Sequence, residues 1–140
     1  MLGSVTLDAL RETFGPVIVV GPNAAIDRPN FRGELVVAVD GSPLSETALG
    51  LAGAWGIGLE ARPWIVNVLA PAARPNAVDT FESAYPSKLA HHLASMTNHP
   101  VEFEVLHGDA AMAISDFVRT IDAALVIAST HGRTGLARLA

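Results

Sequence analysis

Short apolar runs that alternate with helical segments are the feature that most constrains the fold of this chain. The predicted strands cover residues 17–20, 34–39, 64–69, 101–106 and 123–128. Most of these runs are almost continuously apolar, which is typical of strands that are covered on both faces. The run at 101–106 alternates instead, with Glu102 and Glu104 toward water, and this pattern predicts an edge strand. Strands separated by helices imply right-handed crossovers, so we predict an α/β fold with a doubly wound, parallel, five-stranded sheet and helices on both faces.

Capping residues mark the starts of the helices between these strands. Ser42 stands before a proline and Asp109 stands before an alanine pair, and both are good helix N-caps. The predicted helices cover residues 5–14, 44–55, 86–98 and 110–120. Residues 22–33 contain two prolines and two asparagines without a period, so we expect a linker there. The stretch 70–81 is predicted to be a long loop, and its length indicates a lid or a mobile segment.

The stretch from residue 129 to residue 140 has the pattern of an anion-binding loop. It follows the last apolar run and reads S-T-H-G-R-T-G-L-A-R-L-A. Gly132 and Gly135 can adopt positive φ and allow backbone N–H groups to approach a ligand, and the leucines and alanines that follow predict the start of a helix. Unpaired N–H groups and the helix dipole favour a phosphate at such a position. In open parallel sheets ligands bind beyond the carboxyl ends of the strands, where Asp40 and Val68 are also expected.

The composition indicates a packed globular protein and excludes several kinds of site. Of the 140 residues, 50% are hydrophobic and 16% are charged. The absence of cysteine excludes disulfides, thiolate metal sites and thiol catalysis, and it fits a reducing compartment. The net charge of -5, without a basic cluster, argues against a general nucleic-acid binder. The apolar runs are shorter than a membrane span, and the first residues lack the pattern of a secretion signal, so we expect no membrane partner and a cytoplasmic location.

Five segments from residue 34 onward form a set that is typical of one protein family. They read V-V-A-V-D-G-S, P-L-S-E-T-A-L, I-V-N-V-L, H-G-D-A-A-M-A-I and L-V-I-A-S-T-H-G-R-T-G-L. This set resembles the universal stress protein family and its nucleotide-binding branch. The resemblance implies a Rossmann-like fold of the adenine nucleotide alpha hydrolase type.

The phosphate-binding motif of that branch is split between the two ends of this chain. The family motif is Gly, two residues, Gly, nine residues, and then Gly followed by Ser or Thr. Ser129 stands in place of the first Gly, Gly132 is the second, and eight residues follow Gly132. Joining residue 140 to residue 2 makes the spacer nine residues and places Gly3 and Ser4 at the end of the motif.

A rotated order of elements explains this split motif. Residues 2–21 resemble the last helix and strand of the family, residues 22–33 form the linker, and residues 34–140 form the remainder of the domain. A fragment of a tandem protein and a permuted domain, natural or engineered, both produce this order. Residues 2–21 then dock either within their own chain or on a second copy in a domain-swapped dimer. The resemblance also implies a homodimer formed through the apolar strand that begins at Val17 and ends at Val20.

The resemblance implies a nucleotide site built from both ends of the chain. Asp40 would accept hydrogen bonds from the ribose or from the base amino group, and Val68 would lie against the adenine. The remaining residues would surround the phosphates, where a serine at position 129 would either crowd a phosphate or donate to it. The implied binding residues are Asp40, Val68, Ser129, Thr130, Gly132, Arg133, Gly3, Ser4 and Val5. Asp40 as a turn residue and Val68 as a core residue are the structural alternatives.

We therefore predict a module that binds ATP, with Mg²⁺ as the counter-ion of the phosphates, and that acts in stress response or regulation. No residue is placed as a general base on a nucleophile, and the sequence identifies no partner for His131, so we expect no dedicated catalytic activity. Slow ATP hydrolysis remains open. The alternative is a structural or dimerisation module that does not bind nucleotide. An enzyme on the related nucleotide-hydrolase fold would need a catalytic group that the sequence does not reveal.

Overall fold

A computed structural model describes residues 31–69 and 82–129 of the chain, together with residues 8, 10, 12, 13, 15–21 and 24. The chain divides into two compact units, one formed by residues 1–29 with 130–140 and the other by residues 30–129. The helices and strands that carry labels below all belong to the second unit. None of the described helices is long and apolar enough to cross a membrane.

The second unit alternates strands and helices along the chain. Its elements are β1 (Gly33–Val39), α1 (Pro43–Glu46), α2 (Ala48–Gly58), β2 (Ala61–Leu69), α3 (Ala84–Thr97), β3 (Glu102–His107), α4 (Ala110–Thr120) and β4 (Leu125–Ala128). The four strands are parallel and lie in the order β3-β2-β1-β4. The α/β class and the parallel sheet are therefore confirmed, and β3 is an edge strand as its alternation predicted.

The fifth strand predicted at residues 17–20 is not observed. These residues are described and have neither helix nor strand structure. Each of the four side chains is exposed, from 43% at Val17 to 67% at Val20. A β-branched run forms a strand only when a neighbouring strand supplies its hydrogen bonds. Of the helix predicted at 5–14, the described residues Asp8, Leu10 and Glu12 are helical.

Helices cover both faces of the sheet. On one face, α2 and α3 pack over the strands and enclose the main core, which consists of Leu35, Val37, Val39, Ala48, Leu49, Ala52, Ile65, Leu89, Ala90, Leu93 and Ile127. On the other face, α4 packs against β2, where the rings of Phe117 and Trp64 meet edge to face at 5.5 Å. The doubly wound arrangement is therefore present in this unit.

The helix predicted over residues 44–55 is broken into two at Thr47. The Thr47 hydroxyl donates to the Leu44 carbonyl at 2.6 Å, and α2 then runs three residues beyond the predicted end, to Gly58. The short α1 is capped as predicted, with Ser42 as the N-cap and a proline at the first helical position. Asp109 likewise caps α4, accepting from the Met112 backbone N–H at 3.1 Å. The two predicted N-caps are therefore confirmed, whereas the prediction of one continuous helix over residues 44–55 is wrong.

A glycine allows the close approach of α2 and α3. A Cβ at Gly53 would lie 3.1 Å from Leu93 Cδ1 and 3.1 Å from Thr97 Cγ2. Gly50, one turn earlier in the same helix, has nothing within 4 Å of the corresponding position. The two helices therefore come into close contact at Gly53.

An ion pair joins the amino ends of β1 and β2. The Arg62 guanidinium donates to the Glu34 carboxylate, with Nε to Oε2 at 3.0 Å, and the Trp64 indole N–H donates to the same carboxylate. The bond from Arg62, aided by the bond from Trp64 and opposed by partial burial, lowers the pKa of Glu34 below its usual value. This pair lies at the edge of the sheet opposite the predicted binding site.

Candidate functional site

Three of the predicted binding residues meet at the carboxyl edge of the sheet. Val39 lies opposite Asn67 in the register of β1 and β2, so Asp40 and Val68 are the next residues along these two neighbouring strands. Ser129 directly follows β4, which pairs with the other side of β1. Neighbouring strands are about 4.8 Å apart, so the three residues span two strand spacings. Asp40 is exposed there, and Val68 and Ser129 are half-buried.

Hydrogen bonds within the following turn hold the Asp40 carboxylate. Asp40 Oδ1 accepts from the Ser42 backbone N–H at 2.9 Å, and Gly41 between them has a φ of 85°, a conformation that favours glycine. The Asp40 backbone N–H donates to Ser45 Oγ at 3.2 Å. Ser45 Oγ donates in turn to the Ser42 carbonyl at 2.9 Å, and the Ser45 N–H donates to Ser42 Oγ at 3.1 Å. The side chain and the main chain of Asp40 are therefore both fixed before any ligand arrives.

A buried asparagine fixes the end of β1 from the neighbouring strand. Asn67 is 6% exposed, and its Nδ2 donates to the Val39 carbonyl at 2.9 Å. Asparagine inside an apolar strand is unusual, because a buried amide must find hydrogen-bond partners. This polar residue in the run W-I-V-N-V-L is the signal from which its role could have been found in the sequence.

A tyrosine from α3 contacts the same turn. The Tyr85 hydroxyl donates to Glu46 Oε1 at 3.1 Å. Burial, together with the hydrogen bond to Glu46 and its negative charge, raises the pKa of Tyr85, and the nearby polar groups of Ser45 and Gly41 have a smaller, opposing effect. Tyr85 thus reaches the turn that carries Asp40 from an element about forty residues further along the chain.

The far side of this edge is closed by contacts between loops. His107 Nε2, at the end of β3, lies 3.0 Å from Glu82 Oε2, just before α3. The Gly108 N–H donates to the Leu69 carbonyl at 3.0 Å, which joins the ends of β3 and β2. These contacts hold the first turn of α3, and with it Tyr85, beside the ends of the strands.

The other predicted binding residues lie outside the described residues. These are Thr130, Gly132, Arg133, Gly3, Ser4 and Val5, and the loop predicted at 70–81 lies outside as well. Within residues 31–69 and 82–129, and the few described before them, no group of three His, Asp or Glu side chains could hold a metal ion. The described part of the site therefore offers a fixed carboxylate, a half-buried apolar side chain and a hydroxyl, a set that suits a polar ligand with an apolar face.

Sequence comparison identifies one family. The profile of the family described as the Universal stress protein family matches residues 32–140. Among curated proteins, no sequence matches significantly.

Comparison with solved structures gives the same fold. A universal stress protein in complex with cAMP is 16% identical, with a TM-score of 0.58, over 71% of this chain and 77% of that one. A universal stress protein family member from Burkholderia pseudomallei is 20% identical, with a TM-score of 0.57, over 76% of this chain and 86% of that one. A universal stress protein from Archaeoglobus fulgidus is 21% identical, with a TM-score of 0.55, over 69% of this chain and 73% of that one. At sequence identities this low, the likeness to these structures shows the fold alone.

Proposed function

Because this chain belongs to the universal stress protein family, we propose that it binds ATP at the carboxyl edge of its sheet and acts in stress response or regulation. One observation carries the proposal. Asp40 is an exposed carboxylate that its own turn holds in place, between the ends of β2 and β4. A fixed acceptor at the strand ends of a doubly wound sheet lies where such folds bind nucleotides. The solved relative in complex with cAMP supports an adenine nucleotide as the ligand.

The adenosine half of the ligand would contact the described residues. A carboxylate offers about four lone-pair sites, so Asp40 can accept from ribose hydroxyls or the base amino group and keep its bond to Ser42. Val68 presents a half-buried apolar side chain on the next strand, suited to the face of adenine. Ser129 on the other side offers a hydroxyl toward the first phosphate.

The phosphates would contact the loop after β4 and the start of the chain. The residues that we propose for this half are Thr130, Gly132, Arg133, Gly3, Ser4 and Val5. This assignment includes the rotated order of elements, with residues 2–21 acting as the last helix and strand, 22–33 as the linker and 34–140 as the remainder. Mg²⁺ would be held mainly by the phosphate oxygens, because the described residues include no cluster of ligands for it.

A calorimetric titration with Mg-ATP tests the proposal. We expect saturable binding to the unaltered chain and about 10- to 100-fold weaker binding to Asp40→Ala, since a hydrogen bond to a charged group contributes about 1.5–3 kcal/mol. Asp40→Asn keeps the acceptor for the Ser42 N–H and removes only the charge, so it should lie between the two. Asp109→Ala is the matched control, because Asp109 also follows a strand and caps a helix. A folded chain that does not bind Mg-ATP would refute the function.

A second candidate function is a dimerisation module, and the exposed apolar run favours it. Val17 and Val20 expose 43% and 67% of their surface, together with the two residues between them. Pairing of this run with its counterpart in a second copy would remove it from water, and an exchange of residues 2–21 between copies is a variant of the same proposal. Sedimentation of the unaltered chain and of Ile18→Lys tests it. We expect a dimer that the lysine converts to a monomer. A dimer without ATP binding would leave this as the function.

A further inference from the structure

The first turn of α3 is tied to the turn that carries Asp40. Tyr85 is the second residue of α3, and its hydroxyl donates to Glu46 Oε1, the last residue of α1, at 3.1 Å. Glu46 directly follows Ser45, and both belong to the short helix that begins after the Ser42 cap. The hydroxyl from α3 therefore holds the last residue of the short helix that follows Asp40.

The residue before Glu46, Ser45, contacts Asp40 directly. Ser45 is 2% exposed, and its Oγ accepts from the Asp40 backbone N–H at 3.2 Å while it donates to the Ser42 carbonyl. Ser42, in turn, donates its backbone N–H to the Asp40 carboxylate at 2.9 Å. A shift of Ser45 would thus move both the main chain and the side chain of Asp40.

We infer that Tyr85 is a positioning residue for the nucleotide site, because its hydroxyl holds the turn at residues 41–46 in the geometry that presents Asp40 to the ligand. The inference rests on the proposed function. The hydroxyl is the relevant group, since phenylalanine would keep the ring that packs against the core. Tyr85 is the only tyrosine in the chain, so no other phenol can replace it.

Substitutions at the two ends of the hydrogen bond test this role through Mg-ATP affinity. Tyr85→Phe removes only the hydroxyl, and we expect about 3- to 30-fold weaker binding, less than the loss of about 10- to 100-fold for a direct contact, because the lost hydrogen bond acts on the ligand only through the turn. Glu46→Ala should weaken binding similarly, and Glu46→Gln, which keeps an acceptor oxygen, should restore most of it. The double variant Tyr85→Phe with Glu46→Ala should bind no worse than the weaker single variant, because both changes break the same contact. Thr120→Val is the control, since it removes a hydroxyl that donates to a helix carbonyl on α4.

Amide hydrogen exchange supplies a readout that does not depend on ATP. The Asp40 and Ser45 N–H groups both donate within the turn, so we expect Tyr85→Phe to speed their exchange and to leave the Val37 amide in β1 unchanged. Weaker ATP binding without faster exchange would mean that Tyr85 contacts the nucleotide itself, and would overturn the positioning role. Unchanged affinity and unchanged exchange would also overturn it.

The two readouts separate this inference from the function on which it rests. If the unaltered chain does not bind Mg-ATP, the proposed function fails, and the role of Tyr85 at a nucleotide site fails with it. Exchange rates that still respond to Tyr85→Phe would then show that the error lay in the ligand and not in the contact. Normal ATP binding by the unaltered chain, with a Tyr85→Phe variant that behaves like it in both measurements, would refute the inference alone.

Discussion

Alanine at Gly53 would test how tightly α2 and α3 pack. The new Cβ would lie 3.1 Å from methyl groups of Leu93 and Thr97, whereas ordinary carbon contacts lie at about 3.5–4.0 Å. Leu93 is 2% exposed, so its side chain cannot move outward into solvent. Gly50→Ala is the matched control, because it makes the same change in the same helix with no atom within 4 Å.

Two effects of known size determine the expected result. Alanine is favoured over glycine in a helix by about 1 kcal/mol, and both variants receive up to this amount. Overpacking of a filled core costs about 1–3 kcal/mol, and only the variant at position 53 incurs it. We therefore expect the Gly50 variant to be more stable than the unaltered chain by up to about 1 kcal/mol. The Gly53 variant should be less stable than the Gly50 variant by about 1–3 kcal/mol.

Urea unfolding followed by far-ultraviolet circular dichroism measures the difference. The slope of the free energy of unfolding against urea should be the same for all three proteins, so that the midpoints report stability alone. Equal midpoints for the two variants would refute the reasoning, since they would show that Leu93 and Thr97 move aside without cost. The spacing matters beyond stability, because α3 also carries Tyr85 to the Asp40 turn.

Three further predictions follow from single contacts. The lowered pKa of Glu34 means that its ion pair stabilises the fold above the usual glutamate pKa of 4.5 and that this contribution is lost as the pH falls, so Glu34→Gln should lower the melting temperature at neutral pH and have little effect in acid. The raised pKa of Tyr85 means that the neutral phenol stabilises the fold below the usual tyrosine pKa of 10.0 and that this contribution is lost as the pH rises through the higher folded value. In an absorbance titration, this single tyrosine should ionise at a higher pH in the folded chain than in the chain unfolded by urea. The same ionisation pH in both states would contradict the prediction. Asp109→Ala should cost about 1 kcal/mol of stability through the lost cap of α4, as measured by thermal unfolding, without changing ATP affinity.

Local chemistry explains what the sequence predicted well. Ser42 and Asp109 cap the helices that they were expected to cap, because a cap depends only on the few residues that follow it. The parallel sheet was predictable because continuous apolar runs between helices have few other arrangements. The carboxyl-edge positions of Asp40 and Val68 follow from the same pattern.

Features that depend on distant residues were not predictable. The break at Thr47 is a local exception: the Thr47 hydroxyl bonds back to the Leu44 carbonyl, but this contact is equally open to threonines inside unbroken helices, so the sequence does not reveal the break. Residues 17–20 have strand composition, yet a strand also needs a neighbour, and composition does not specify one. Tyr85 and Glu46 are 39 residues apart in sequence, so their contact appears only once α1 and α3 are packed.

The two sides of the described sheet differ in whether they can accept another strand. At one side, β3 carries Glu102 and Glu104, and charges on an edge strand oppose the addition of a further strand. At the other side, β4 reads L-V-I-A without a charge, and Val126 exposes 41% of its surface. A sheet with only one edge strand that can pair with a further strand can add one neighbour at that edge. Growth into a fibre by strand addition requires two such sides, and the charges on β3 disfavour addition at one of them.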